Sequence, residues 1–196
     1  HCDVEEDGFS QYFRQEAIRT IDSYDLDFVL RFAFGIIRGD ILSVPTYGVW
    51  SFHHGDEREY RGGPPCFWEI YNGEPTTGAI LQKLTDRLDG GIVLRRGIFS
   101  TKRSHRANQN HVYNGTTAWP AQVAIDILNG NEDVFRDSPS EADAPIYKPP
   151  SPLQLLSYNL RRLYSVSTTA LSGINHWNVG VIPQKLESVY RGTDTG

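Results

Sequence analysis

The sequence contains no methionine, not even at position 1. An open reading frame begins with one, so the expectation is a fragment whose N-terminal portion is missing. Cysteine is nearly as scarce: Cys2 and Cys66 are too few, and too dissimilar in setting, for a disulfide scaffold or a metal knuckle. Neither is assigned a role. No run approaches the roughly 20 apolar residues that a membrane-spanning helix needs. The start, His1-Cys2-Asp3-Val4-Glu5-Glu6-Asp7, is acidic where a secretory signal would be basic and then apolar. These absences lead to the expectation of a soluble, cytoplasmic protein. Concentrated positive charge is lacking as well. The net charge is −5, the pI is near 5.7, and basic residues stand apart except in small groups such as Lys102-Arg103 and Arg161-Arg162. That is not the electrostatic footprint of a nucleic-acid binder, so nucleic acid is disfavoured as a partner.

What is present suits a folded chain. Hydrophobic residues make up 39% and charged residues 22%, which excludes disordered and fibrous classes, and 196 residues suffice for one main domain with a short appendage. From Gly8 to Tyr24, Phe9, Tyr12, Phe13, Ala17, Ile18 and Ile21 recur at three- and four-residue spacing and predict an amphipathic helix. Leu26 to Phe34 is nearly continuous in apolar residues, broken only by Asp27 and Arg31, and reads as a buried strand of the kind parallel sheets use. Val49–His53 is a second strand. Pro64-Pro65 opens a short helix through Tyr71 that Asn72-Gly73 ends. Thr77–Leu84 and Gly91–Ser100 read as two more strands, so four strands with helices between them predict an α/β sheet.

Beyond Ser104, Thr116–Asn129 carries a helical pattern that Asn129-Gly130-Asn131 stops. The run from Asp137 to Pro145, followed by Pro149-Pro150, has linker composition. Ser151 and Pro152 then begin a helix through Val166, with Leu153, Leu156, Leu160 and Leu163 on one side. In the tail, Trp177–Ile182 is strand-like. Trp50, Trp68 and Trp119 are read as core aromatics.

Chemistry concentrates between Val49 and Gly91. Ser51 and His53 are two apart on a strand and therefore share a face, where that strand runs out into a polar, glycine-bearing loop. Ends of this kind are where α/β folds place ligands. Asp89, followed by Gly90-Gly91, is expected at the sheet edge with backbone able to approach closely. A histidine, a short hydroxyl and a carboxylate suffice for acyl transfer if they converge. Against this stand plainer readings: a lone strand-end histidine is more often structural, and Asp89 before two glycines is by itself a turn residue. His53, His54 and Asp56 suggest a metal site, but adjacent histidines on a strand face opposite ways, so no metal is assigned. Arg61 with Tyr60 is read as positioning its loop, and Asn114-Gly115-Thr116 as a turn.

The order of these residues resembles the formyltransferase family, which includes methionyl-tRNA, glycinamide-ribonucleotide and sugar-nucleotide N-formyltransferases. That family shows Asn-x-His on a strand, Arg-Gly-x-x-Pro, Asn/Asp-Gly, Thr-Gly and Leu-Asp-x-Gly. Here stand His53, Arg61-Gly62 with Pro64-Pro65, Asn72-Gly73, Thr77-Gly78 and Leu88-Asp89-Gly90-Gly91, in the same order at similar spacing. Ala33-Phe34-Gly35-Ile36-Ile37 is similar to the family's folate-lining loop. The likeness covers roughly Leu26 to Phe99. The family asparagine falls on Ser51, and the loop His54-Gly55-Asp56-Glu57-Arg58 is more charged than usual.

The resemblance implies a Rossmann-like, mostly parallel sheet with flanking helices, and a helical C-terminal extension. On this reading residues 1–135 form an N-terminally incomplete core, 136–150 a linker, and 151–196 the extension with its terminal strand. It implies formyl transfer from N10-formyltetrahydrofolate, as co-substrate, to the amine of a small or carbohydrate acceptor. His53, Asp89 and Ser51 would be catalytic, and Phe34, Gly35, Ile36, Ile37, Leu84, Thr85 and Asp86 would hold the folate. The alternatives are a formyltetrahydrofolate hydrolase and a non-catalytic folate- or sugar-binding module on the same scaffold.

Overall fold

The computed structural model describes residues 3–87, 90–136 and 143–171. In chain order it runs β1 (Val4–Asp7), β2 (Ser10–Phe13), α1 (Gln15–Asp22), β3 (Val29–Leu30), β4 (Ile36–Arg38), β5 (Val49–His53), β6 (Arg61–Gly62) and α2 (Trp68–Asn72). There follow β7 (Thr76–Lys83), β8 (Ile92–Ser100), α3 (His105–Thr116), α4 (Trp119–Leu128), β9 (Ile146–Tyr147) and α5 (Pro152–Leu171). The strands make three sheets, ordered β1-β2-β4, β3-β5-β7-β8 and β6-β9. Pairs β2–β4, β3–β5 and β6–β9 are parallel, while β1–β2 and β5–β7 are antiparallel. This is the expected α/β class, and α5 is its C-terminal helical extension.

Two compact units divide the chain. The first comprises His1–His53, Ile80–Arg96 and Ala118–Asp143, and the second His54–Ala79, Gly97–Thr117 and Ala144–Gly196.

In the first unit Ile37, Ile41, Leu42 and Val49 form a buried cluster against which Phe13, Ile21, Val29, Val44 and Leu84 pack. Trp50 is fully buried, stacks on Phe28 at 4.0 Å between ring centroids, and donates its indole N–H to the Tyr47 carbonyl. Burying each such side chain contributes about 1.5–3 kcal/mol, and these residues hold β5 at the centre of the unit. The helix expected over Gly8–Tyr24 exists only in its second half. Asp7 pairs with Ser10 across a two-residue turn in which Gly8 takes φ 60°, so Val4–Phe13 is a hairpin and the helix begins at Gln15. A glycine at the first position of the two-residue turn outweighs the three-residue spacing, and Phe9 is left 88% exposed at the tip.

The strand expected over Leu26–Phe34 shrinks to Val29–Leu30, paired with Val49–Trp50. One more bond, from Arg31 N–H to the Trp50 carbonyl, continues the ladder before the chain curls, with Ala33 at φ 59°. The apolar run is continuous because its rings serve several partners, Phe28 on Trp50, Phe32 toward Phe52 and Phe34 toward Phe13. The helix expected over Thr116–Asn129 starts at Trp119, with Trp119 and Val123 buried, and Gly130 at φ 78° closes it.

The second unit contains a helix that the sequence reading left out, α3. Ser104 caps it by accepting from the Ala107 N–H, but its inward positions are Asn108, Val112 and Thr116, of which two are polar. Asn108 is fully buried and fully used. Its side-chain amide donates to the Cys66 carbonyl and the Thr77 hydroxyl and accepts from the Lys102 N–H. Helix α2 begins at Trp68, four residues after Pro64, and ends as expected on Gly73 at φ 79°.

Helix α5 starts with a reciprocal cap in which Gln154 N–H donates to Ser151 Oγ and Ser151 N–H donates to Gln154 Oε1. Its anchored side carries Tyr158, whose ring packs on Phe67, and Arg161, which donates to the Tyr71 carbonyl. Leu153, Leu156 and Leu160, on one side of the helix, are exposed, and the aromatic cluster around Phe67 takes the Tyr158 side. The strand-like run Trp177–Ile182 and the Leu163 side chain lie outside the described residues. Within the proline-rich stretch, Ile146–Tyr147 pair with Arg61–Gly62. Among the described residues no helix is long and apolar enough to cross a membrane.

Candidate functional site

Strand β5 has the bounds its β-forming residues predict, Val49 to His53. Alternation puts Ser51 and His53 on one face, and their registered neighbours Gln82 and Ile80 on β7 share it. Ser51 is buried and His53, at the strand's end, is half-buried. Two of the three residues expected to be catalytic therefore stand side by side on a buried sheet. Asp89, the third, lies outside the described residues.

The Ser51 hydroxyl meets a residue that the sequence reading passed over. Arg31 Nη1 donates to Ser51 Oγ at 3.0 Å, and Nη2 donates to the Gly35 carbonyl at 2.7 Å and to the Phe34 carbonyl. The signal for it was one charged side chain in the apolar run Phe28–Phe34. Burial holds the Arg31 guanidinium below its usual pKa, because the charged form loses hydration. The Gly35 N–H is also engaged, donating to Gln11 Oε1 at 2.6 Å, and the Ile36 N–H donates to the Phe9 carbonyl. Most backbone polar groups of the expected folate-lining loop are thus bonded within the chain.

The remaining expected folate residues fall into two segments that the fold brings together. Ile37 on β4 is in the buried cluster on which Leu84 packs. Just beyond, the Gly39 N–H donates to Asp86 Oδ1 at 3.1 Å and Arg38 Nη1 donates to the Asp86 carbonyl. A cavity of about 420 Å³ opens here, lined by Thr85 and Asp86 with Gly39, Asp40, Leu42, Ser43, Pro45, Thr46 and Lys83. Phe34, Gly35, Ile36 and Ile37 do not line it.

After Asp86 the chain turns, with the Thr85 hydroxyl donating to the Gly90 carbonyl at 2.7 Å. At Gly91 a Cβ would stand 2.4 Å from Gln82 Oε1 and 2.7 Å from the Lys83 carbonyl oxygen. The second glycine after Asp89 is therefore required by close backbone approach to β7, the reason the sequence suggested for it.

In the second unit the His54 ring packs at a tilt against Tyr113, 4.0 Å between centroids, and lies 3.4 Å from the Thr116 hydroxyl. Arg61 donates to the Ala144 carbonyl, tying its loop to the segment before β9. Among the described residues no three His, Cys, Asp or Glu side chains are grouped so as to hold a metal ion. Cys66 is buried, and its thiol pKa is pushed up to about 12 by loss of hydration and by the charge of Glu69. Such a thiol is inert at neutral pH.

The fold is of the α/β class, with Ser51 and His53 at the end of one of its strands. No protein-family profile matches the chain. Over 97 residues it is 32% identical to the methionyl-tRNA formyltransferase of Clostridium acetobutylicum, a match covering 49% of this chain and 31% of that protein. A match to the Clostridium tetani methionyl-tRNA formyltransferase is 24% identical over 181 residues, 91% of this chain and 56% of that protein. The solved methionyl-tRNA formyltransferase from Clostridium thermocellum shares the fold with a TM-score of 0.53 at 17% identity, over 77% of this chain and 66% of that one. The chain is therefore similar to formyltransferases over part of their length, and it covers 31% and 56% of the two curated relatives named.

Proposed function

We propose that this chain carries the catalytic half of a folate-dependent formyltransferase, moving a formyl group from N10-formyltetrahydrofolate to an amine of a small or carbohydrate acceptor. The observation that carries this reading is the pairing of Ser51 and His53 on one face at the end of β5 in a chain related to formyltransferases. The acidic net charge supports a small acceptor over a large RNA. A cytoplasmic location fits the same reading.

In the reaction the amine nitrogen attacks the formyl carbon, forming a new C–N bond and a tetrahedral oxyanion. Collapse breaks the bond between that carbon and N10, and the proton lost by the amine ends on N10, giving a formamide and tetrahydrofolate. His53 would hydrogen-bond to the oxyanion and help move protons, as a histidine ring placed at the reacting atoms can. Asp89 would orient His53 and take the amine's proton. Ser51 would stand in the place of the family asparagine. The segment Phe34–Ile37 and the segment Leu84–Asp86 would hold the pterin, the second through Thr85 and Asp86 on the wall of the 420 Å³ cavity.

The test is to incubate the full chain with 10-formyltetrahydrofolate, with and without candidate amines, and follow tetrahydrofolate and product. Amine-dependent turnover should fall by about a hundredfold or more in His53→Ala and Asp89→Ala. Formate release that is indifferent to amine identifies a hydrolase instead. Binding of 5-formyltetrahydrofolate without turnover, unchanged in both variants, identifies a binding module.

A further inference from the structure

Arg31 is an unusual residue to find beside Ser51. Its backbone belongs to the β3–β5 ladder and its side chain reaches along the sheet to the Ser51 hydroxyl, twenty residues away in sequence. Two guanidinium nitrogens are used, on Ser51 Oγ and on the Phe34 and Gly35 carbonyls. The third, Nε, is buried with no hydrogen-bond partner among the described residues. All of the Arg31 acceptors are neutral oxygens, and no ion pair of Arg31 with a carboxylate is present among the described residues. A half-buried guanidinium bonded only to neutral oxygens, with one donor to spare, keeps a positive charge that a small anion would complement.

We infer that Arg31 and Ser51 together form an oxyanion site, in which the guanidinium supplies the charge and the spare donor and the hydroxyl a second hydrogen bond to a small oxygen anion. The asparagine that the family places at the Ser51 position is a neutral donor with a longer reach. Here the shorter serine is accompanied by a cation that contacts it directly. Donation from Nη1 to Ser51 Oγ polarises that hydroxyl; its own proton is directed at the Phe52 carbonyl at 3.3 Å, a long bond that an incoming oxygen anion would replace. The same guanidinium holds the carbonyls of Phe34 and Gly35, so the anion site and the loop are one hydrogen-bonded unit. In the formyl-transfer reading, on which this part of the inference rests, the anion is the oxygen of the tetrahedral intermediate and formate is its small relative.

The experiment uses the full chain and sodium formate labelled with carbon-13, titrated at constant ionic strength against chloride, with binding read from the formate resonance. The wild type should show saturable binding. Arg31→Met should weaken it at least about tenfold, and Ser51→Ala should weaken it by less, because the charge remains. Arg31→Lys should bind with intermediate affinity, since it keeps the charge and loses the planar fork. Circular dichroism monitors folding. If Arg31→Met does not fold, Arg31→Gln, which keeps donors for the loop carbonyls, makes the same comparison. Saturable formate binding that is equal in the wild type and in the folded charge-removing variant, or none to the folded wild type, overturns the inference. Arg31-dependent binding in a chain that transfers no formyl group refutes the enzyme reading while supporting the anion site. Formyl transfer with formate binding indifferent to Arg31 does the reverse.

Discussion

Replacing Glu69 by glutamine should change how the stability of the fold depends on pH. Glu69 lies in α2, is 2% exposed, and its Oε1 has no hydrogen-bond partner among the described residues. Burial pushes its pKa from 4.5 up to about 7, opposed by a backbone hydrogen bond and assisted by the negative charges of Glu74 and Asp56. The folded state therefore holds this proton more tightly than the unfolded state does. The stability that the neutral form contributes is fully present below about pH 4.5, is lost as the pH rises toward 7, and is gone above it. At about 1.4 kcal/mol per pH unit the gap between the two values corresponds to roughly 3 kcal/mol, of which roughly 2–3 kcal/mol falls between pH 5 and pH 8. Urea unfolding of the wild type and Glu69→Gln at several pH values in that range measures it. Glutamine carries a fixed cost for its amide, so the informative quantity is the difference between the two proteins as pH changes, from which all other titrating groups cancel. The variant should gain roughly 2–3 kcal/mol relative to the wild type from pH 5 to pH 8. A difference that stays constant over the range refutes the assignment of a buried, destabilising carboxylate.

Two stability predictions test the second unit more widely. Asn108→Ala removes three hydrogen bonds and leaves the Cys66 carbonyl, the Thr77 hydroxyl and the Lys102 N–H to find new partners, so a loss of about 3 kcal/mol is expected in chemical denaturation. A loss below about 1 kcal/mol would mean that water replaces the amide without cost. Gly115→Ala puts a methyl 2.3 Å from the buried Phe99 ring and should cost about 1–3 kcal/mol, read as a lowered Tm. An unchanged Tm would show that Phe99 moves aside freely.

Local pattern was enough to place β5, β7 and β8 and the glycine stop of α2, because strand propensity and a left-handed cap are properties of neighbouring residues. It was also enough to put Ser51 and His53 on one face, since alternation along a strand needs no knowledge of the partner strand. The buried states of Trp50, Trp68 and Trp119 followed from their size and apolarity. Where two local signals competed, the reading went astray. The spacing of Phe9, Tyr12 and Phe13 mimics a helix, whereas the turn that opens at Gly8 makes a hairpin. Helix α3 was hidden because its buried face holds Asn108 and Thr116, residues that become interior only when Cys66, Thr77 and Lys102 arrive to satisfy or surround them.

The ordered motifs from His53 to Gly91 by themselves carried the resemblance to formyltransferases and the choice of candidate catalytic groups, because a resemblance of this kind is read from residue type and order. Only tertiary structure decided which other groups join them. The contact of Arg31 with Ser51, the tie between Gly39 and Asp86, and the three bonds to Asn108 each join residues that are 20 or more apart for most of their partners. Hydrogen bonds of that range depend on where the sheet carries each segment, and no periodicity or propensity along the chain records it. The lone arginine in the apolar run Phe28–Phe34 was visible in the sequence, but its acceptors were not, and they are what give its charge a place in the site.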